Sequence, residues 1–174
     1  MSSLVFILAR ALVYSTLFIG FLLVFLPARV IAWAGIAAPG RVGALQLFGG
    51  ALAAAGAVLA VSCILTLVFI GRGTPAPFDP PRRLVVRGPY RLVRNPMYVG
   101  AAAALLGAAL YYESPPVAAY AAAFLLVMHL FVRVYEEPLL RRSFGQEYEE
   151  YCGRVGRWWP HGVSRKPASG ERRS

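Results

Sequence analysis

Residues 87–100, with the sequence RGPYRLVRNPMYVG, hold the densest group of chemically useful side chains in the chain. Arginine guanidinium groups bind carboxylates and phosphates through paired N–H donors. Tyrosine rings offer flat faces that end in a hydroxyl, and glycine lets a ligand approach the backbone closely. Asn95-Pro96 is typical of a helix start, with asparagine as the N-cap, and the free N–H groups there attract an anion. The stretch therefore predicts a binding surface for a charged ligand.

Two adjacent carboxylates, Glu136 and Glu137, follow a later apolar run and precede Pro138. Two interpretations are open. Arg133 lies three and four residues before the pair, and Arg141 lies four residues after Glu137, which is the spacing of ordinary salt bridges along a helix. Alternatively, the carboxylates bind a cationic ligand and complement the arginine-rich stretch.

Four apolar segments must position these side chains. The chain has 174 residues, of which 58% are hydrophobic, and this is too apolar for a soluble domain of that size. Runs at residues 4–26 (extending toward 33), 45–70, 97–112 and 117–135 approach the length of a membrane span, about 20 residues. Helices satisfy their own backbone groups in lipid. The sequence therefore predicts an all-α integral membrane bundle of about four transmembrane helices.

A further helix is predicted after the fourth span. From Leu139 to Tyr151, apolar residues recur every three or four positions, while arginines and glutamates lie off that face. This pattern is typical of an amphipathic helix at the membrane surface, on the cytoplasmic side, with Gly145 as a break. Residues 164–174 are predicted to form a disordered basic tail.

The net charge of +10 invites a nucleic-acid interpretation, but the distribution of the charge argues against it. Arginines concentrate between the second and third spans and again after the fourth, whereas the connection at residues 113–116 has no basic residue. The positive-inside rule then places both termini in the cytoplasm. The composition, rich in Ala and Arg with a single Lys, favours a bacterial source and hence the bacterial inner membrane. Membrane lipids with anionic headgroups are the expected partners of these arginines. The oligomeric state stays open.

Other candidate groups are few. Two histidines without a Cys-x-x-Cys motif predict no metal site, and the two cysteines lie in different parts of the fold. His129 lies inside the fourth span, where it is either a functional group or a neutral histidine bonded to a neighbouring helix. The loop at residues 71–95 contains five prolines, so no helix is expected there.

Three ordered motifs give the chain a resemblance. They are Gly-Pro-Tyr-Arg-x-x-Arg-Asn-Pro-x-Tyr-x-Gly at residues 88–100, Glu-Glu-Pro-x-Leu at 136–140, and the aromatic and basic pattern at 144–160. Together they resemble the isoprenylcysteine carboxyl methyltransferase family, whose cofactor-binding half is shared by phospholipid methyltransferases. The resemblance covers roughly residues 84–160. It implies one domain at residues 1–163, with a scaffold at 1–70 and a cofactor-binding half at 84–160.

The resemblance also implies S-adenosylmethionine as the cofactor, a lipophilic acceptor that is an isoprenylcysteine-type carboxylate or a lipid headgroup, and a set of binding residues. The implied cofactor-binding residues are Gly88, Tyr90, Arg94, Asn95, Pro96, Tyr98, Gly100, Glu136, Glu137, Tyr148, Tyr151 and Arg157. The cofactor's cations call for carboxylates, and its carboxylate calls for an arginine or a helix N-terminus.

Asn95 and Arg133 are the candidate catalytic residues. The family usually has histidine where this chain has Asn95, and asparagine cannot act as a base, so orientation of a ligand is the expected role. A carboxylate acceptor needs an arginine to hold it, for which Arg133 is the candidate, whereas an amine acceptor needs a base. Two other classes stay open: a membrane reductase that uses NADPH in a similar fold, and a non-catalytic membrane subunit.

Overall fold

The computed structural model describes residues 19–71 and 83–160, together with six isolated positions between 6 and 17. Its helices are α1 (Gly20–Trp33), α2 (Ala44–Gly71), α3 (Pro96–Tyr111), α4 (Pro115–Phe144) and α5 (Gln146–Arg154). Within these ranges no strand is present, and one isolated parallel bridge joins Val93 to Gly156. The all-helical class is confirmed, while most of the first predicted span and the basic tail lie outside the described residues.

Two of these helices are long and apolar enough to cross a membrane. They are α2, with 28 residues, and α4, with 30 residues, whereas α1 and α3 are shorter apolar helices. Many of the large apolar side chains on α2 and α4 are exposed, which suits contact with lipid. The protein is therefore a membrane protein, and the total of four spans stays a prediction.

Reporter fusions test the predicted topology. A fusion at Pro115, where α4 begins, is expected to report the exterior, and a fusion at Ser164, beyond the described residues, is expected to report the cytoplasm. The physical reason is the lack of basic residues around Pro115. If both fusions report the same side, the arrangement of four spans with both termini inside is wrong.

Helices α2 and α3 cross at glycines, where their backbones touch. A Cβ atom on Gly49 would lie 2.7 Å from the carbonyl oxygen of Gly107, and one on Gly100 would lie 2.7 Å from that of Gly56. Such contacts are shorter than real Cβ atoms adopt, so no larger residue fits without separating the helices. The crossing sets the position of α3 and hence of the arginine-rich stretch before it.

Two prolines impose wide turns on the helices that contain them. The segments Gly20–Phe25 in α1 and Val132–Glu136 in α4 have π-helical geometry, and each ends shortly before a proline, Pro27 or Pro138. Proline lacks an N–H and its ring collides with the preceding turn, so a wider turn relieves the conflict. Pro138 therefore lies within one continuous helix, and the wide turn before it lies directly at the two glutamates.

The wide turn of α1 leaves a carbonyl that α4 satisfies. In this geometry the carbonyl of Leu22 points toward the nitrogen of Pro27, which has no hydrogen to donate. The hydroxyl of Tyr120 donates to that carbonyl at 2.7 Å. An unpaired carbonyl is costly in lipid, so this hydrogen bond ties α1 to α4.

The short connection between α3 and α4 makes them an antiparallel hairpin. Ser114 caps α4 by accepting from the backbone N–H of Val117 at 3.2 Å. At the same end, Gln46 donates to the carboxylate of Glu113 and accepts from the backbone of Gly43, so the start of α2 is joined to the turn. Glu113 has a positive φ of 48°, which few residues other than glycine adopt, and the bond from Gln46 helps to hold it.

The proline-rich loop differs from the prediction in one place. A 3₁₀ helix covers Gly88–Arg91, although no helix was expected there. Pro89 occupies its first turn, where a missing N–H costs nothing. Gly88 has φ of 58° and lies against the side chain of Thr66 near the end of α2. The loop thus folds back onto α2 and presents Tyr90 toward α4.

Candidate functional site

The predicted site residues meet where α3 begins, where α4 ends, and where the chain returns after α5. The returning segment, residues 155–160, is called the strap here. The backbone N–H of Arg94 donates to the carbonyl of Gly156 at 2.8 Å, next to the parallel bridge between Val93 and Gly156. The strap is thereby paired along the residues that lead into α3.

Glu137 is the centre of a buried ion cluster. Its side chain is 5% exposed, and Arg157 binds it in a bidentate manner, with Nε–Oε1 at 2.6 Å and Nη2–Oε2 at 2.9 Å. Arg94 adds a third contact, with Nη1 at 3.1 Å from Oε1. These three residues are called the arginine–glutamate cluster below. The carboxylate also raises the pKa of Arg157, so that guanidinium stays charged.

The salt bridges along the helix, one of the two open interpretations of the glutamates, do not form between the described residues. Arg141 pairs with Glu149 at 2.8 Å, and Arg133 is exposed and takes part in none of the hydrogen bonds or ion pairs between described residues. Five rather than four residues close each turn at Val132–Glu136, so the α-helical spacing rule does not hold across it. Glu137 instead turns toward the strap and the start of α3.

Arg94 links the cluster to α5. Its Nη1 donates to the sulfur of Cys152 at 2.7 Å and lies 3.4 Å from the hydroxyl oxygen of Tyr148. Its Nε is buried and has no partner among the described residues. A buried N–H without a partner is unfavourable. It marks a place where an oxygen atom of a ligand could accept a hydrogen bond from Nε.

Glu136 faces a different set of groups from Glu137. Its Oε2 accepts a hydrogen bond from the hydroxyl of Tyr98 at 3.0 Å. No cation among the described residues pairs with it, in contrast to the doubly paired Glu137. The two adjacent carboxylates therefore have different surroundings. Arg94 and Arg157 neutralise Glu137, whereas no described cation neutralises Glu136.

Tyrosines close the side of the site formed by the loop and α5. The hydroxyl of Tyr151 donates to the backbone carbonyl of Tyr90 at 2.6 Å. Burial raises the pKa of Tyr90, Tyr148 and Tyr151 above the ordinary range, so all three hydroxyls stay protonated. They act as neutral donors and acceptors, and their rings surround the polar groups.

Asn95 lies at the N-cap position, as predicted, but its side chain does not cap the helix. Its Nδ2 donates to the carbonyl of Arg157 at 3.2 Å, and the residue is 7% exposed. Pro96 begins the helix and needs no donor there. The prediction that the side chain of Asn95 caps α3 was wrong, because the strap, which is distant in sequence, supplies a partner for its amide.

An apolar cleft adjoins the polar groups. It lies between α1, α2, α3 and α4, and its lining consists of Ile19, Leu22, Leu23, Ala60, Met97, Tyr98, Ala101 and Phe124. Tyr98 belongs to both regions, because its ring lines the cleft and its hydroxyl reaches Glu136. A ligand with an apolar body in the cleft would place its head at this carboxylate.

Two predicted residues lie apart from the polar groups. Gly100 packs against α2 at the crossing of the two helices, and Arg133 is exposed on α4. Sequence reasoning missed Cys152 and the carbonyl of Gly156, both partners of Arg94. Only the four-residue spacing from Tyr148 to Cys152 on α5 hinted that the two share a side of the helix. One interpretation of His129 was a hydrogen bond to a neighbouring helix. In the structure it is instead bonded to Trp158 of the strap.

Comparison with known proteins gives one match. A family model described as phospholipid methyltransferase matches residues 45–147, which is more than half of the chain. No curated protein and no solved structure matches. The matched range contains α2, α3, α4, Arg94, Tyr98 and both glutamates, although the strap lies beyond it. The chain therefore belongs to the phospholipid methyltransferase family, and it is a membrane methyltransferase.

Proposed function

We propose that the protein transfers a methyl group from S-adenosylmethionine to a lipophilic acceptor. The observation that carries the proposal is the double role of Tyr98, which lies at the border between the apolar cleft and the charged groups. A methyltransferase for lipids needs such a border, since its cofactor is polar and its acceptor is apolar.

The residues present fit this cofactor. S-adenosylmethionine supplies an activated methyl group on a sulfonium and also carries an ammonium and a carboxylate. Glu136 has a carboxylate that no described cation neutralises, which suits a cation. Arg94 has a buried Nε without a partner, which suits a carboxylate oxygen. Tyr90 and Tyr151 add aromatic faces beside them.

The residues of this chain act by alignment and by exclusion of water. The bonds from Asn95 and Arg94 to the strap hold the start of α3 against the end of α4, so the cation site and the cleft keep a fixed relation. The buried tyrosines keep water from the reacting groups. No covalent nucleophile is assigned, Asn95 contributes orientation, and Glu136 is the carboxylate that would take the proton that an amine acceptor must lose.

The arrangement of charge favours an amine over a carboxylate as the acceptor. Arg94 and Arg157 already bind Glu137, so neither guanidinium is free to hold a second carboxylate in full. At the cleft the unneutralised charge is the negative one of Glu136. A lipid headgroup with an amine matches that charge, and the predicted role of Arg133 in holding a carboxylate acceptor loses its support. The proposed setting is the bacterial inner membrane, with both termini in the cytoplasm.

Calorimetric titration of the full-length protein in detergent tests the proposal. S-adenosylmethionine is expected to bind with a single site, and NADPH, titrated in the same detergent as a matched control, is expected to give no binding heat. Binding of NADPH without binding of S-adenosylmethionine would identify a reductase instead. If neither ligand binds, the protein is a non-catalytic subunit and the proposal is wrong.

A further inference from the structure

His129 and Trp158 form a contact that the proposed chemistry does not use. The indole Nε1 of Trp158 donates to Nδ1 of His129 at 3.1 Å, and the ring centroids are 6.0 Å apart. An indole N–H can only donate, so this imidazole nitrogen accepts and carries no proton. The bond satisfies two polar groups on the surface of an otherwise apolar helix.

This bond gives the strap a second attachment to α4. The first is Arg157 to Glu137, and the second, Trp158 to His129, lies about 12 Å further along the helix at 1.5 Å per residue. With one attachment to α4, the strap would still be held by its bonds to residues 94 and 95, but its direction along α4 would not be fixed. Two attachments at different heights also fix its direction along α4.

The direction of the strap decides the orientation of two site residues. The carbonyl of Gly156 accepts from the backbone of Arg94, and the carbonyl of Arg157 accepts from the side chain of Asn95. Because Nδ2 of Asn95 is held in this way, its amide oxygen faces away from the strap. A strap that turned would release both groups.

We infer that His129 and Trp158 are positioning residues, whose bond latches the strap and thereby orients Arg94 and Asn95. The effect on cofactor affinity rests on the proposed function, whereas the effect on the strap does not. The latch joins a residue inside a membrane-spanning helix to the segment that completes the site. His129 touches no part of the ligand site and acts through Trp158.

Four single variants separate the latch from simple packing. His129→Leu removes the acceptor, and His129→Asn restores an acceptor oxygen at the place of Nδ1 in a smaller side chain. Trp158→Phe removes the donor and keeps an aromatic ring. Trp159→Phe is the matched control, since Trp159 is the next residue and is 81% exposed.

Two measurements on the full-length protein in detergent test whether the bond between His129 and Trp158 holds the strap. The first is hydrogen exchange, without ligand, in peptides that contain Arg94, whose N–H is protected by the carbonyl of Gly156. The second is titration with S-adenosylmethionine. His129→Leu and Trp158→Phe are expected to speed exchange and to weaken affinity by about fivefold to tenfold, as for loss of one neutral hydrogen bond. His129→Asn and Trp159→Phe should stay within about twofold of the wild type.

The latch is wrong if His129→Asn behaves like His129→Leu, because packing of the ring would then explain both. It is equally wrong if Trp158→Phe matches Trp159→Phe, a comparison that remains when His129→Leu does not fold. Faster exchange in a protein that does not bind S-adenosylmethionine would support the latch and reject the proposed function. Binding by the wild type with no response of exchange in any variant would reject the latch alone.

Discussion

Glu137→Gln is expected to lower the free energy of unfolding by about 3–5 kcal/mol, the range for removal of one partner from a buried ion pair. The side chain is 5% exposed and neutralises both Arg94 and Arg157. Glutamine has the same shape but no charge, so the largely buried guanidinium of Arg94 and the partly exposed one of Arg157 would lose their compensating charge. Thermal unfolding in detergent, followed by circular dichroism, measures the effect.

Glu147→Gln is the matched control for this prediction. Glu147 is exposed on α5, so the same chemical change there should alter stability by less than about 0.5 kcal/mol. Equal stability of the two variants would show that the arginine–glutamate cluster does not hold the strap. The cluster also means that a double replacement of Glu136 and Glu137 by glutamine would combine a loss of stability with any loss of ligand affinity, so the two carboxylates need separate tests.

Glu136→Gln is expected to weaken binding of S-adenosylmethionine by about 1.5–3 kcal/mol, or roughly tenfold to 150-fold, while leaving stability nearly unchanged. The described partner of Glu136 is the neutral hydroxyl of Tyr98, and this hydroxyl can donate equally to a glutamine oxygen. Only the charge offered to a cationic ligand is lost. Calorimetric titration in detergent measures the affinity.

Tyr98→Phe provides the comparison for Glu136→Gln. It removes the hydroxyl but keeps the carboxylate and the ring that lines the cleft, so a cation should still bind. A larger loss of affinity in Tyr98→Phe than in Glu136→Gln would make the hydroxyl, not the negative charge, the important group. Unchanged affinity in Glu136→Gln would contradict the proposed cation site.

Much of the fold follows from local patterns that the sequence displays. Helix α3 begins at Pro96 and α5 begins after Gly145 because proline and glycine mark helix ends through their own backbone chemistry. The hairpin of α3 and α4 follows from a connection too short for any other arrangement. These features depend on neighbours in sequence and are therefore readable without a structure.

The pairing within the site depends on distant neighbours and was not readable in the same way. Glu137 had nearby arginines at salt-bridge spacing, yet it binds Arg94 and Arg157, which reach it from the start of α3 and from the strap. Asn95 likewise had a local role available as a cap and uses a distant carbonyl instead. Local rules assume a regular helix, and the wide turn before Pro138 breaks that assumption at the glutamates.

The unequal lengths of the helices place the site at a particular depth. The bond between Gln46 and Glu113 brings the start of α2 level with the turn between α3 and α4. From that level α3 runs for 16 residues, whereas α2 runs for 28 and α4 for 30. Glu137 contacts Arg94 next to the start of α3, and seven further residues of α4 follow it, which is about 10 Å at 1.5 Å per residue.

The polar groups therefore lie short of the end of α4, between the start of α3, α5 and the strap. The Asn95 end of α3 is about 24 Å from the Glu113 end, which is less than the hydrocarbon thickness of about 30 Å. With the Glu113 end at one surface of the hydrocarbon layer, the Asn95 end would lie about 6 Å inside the opposite surface. In the proposed reaction, the head of an acceptor lipid would then have to enter the edge of the hydrocarbon layer to reach Glu136.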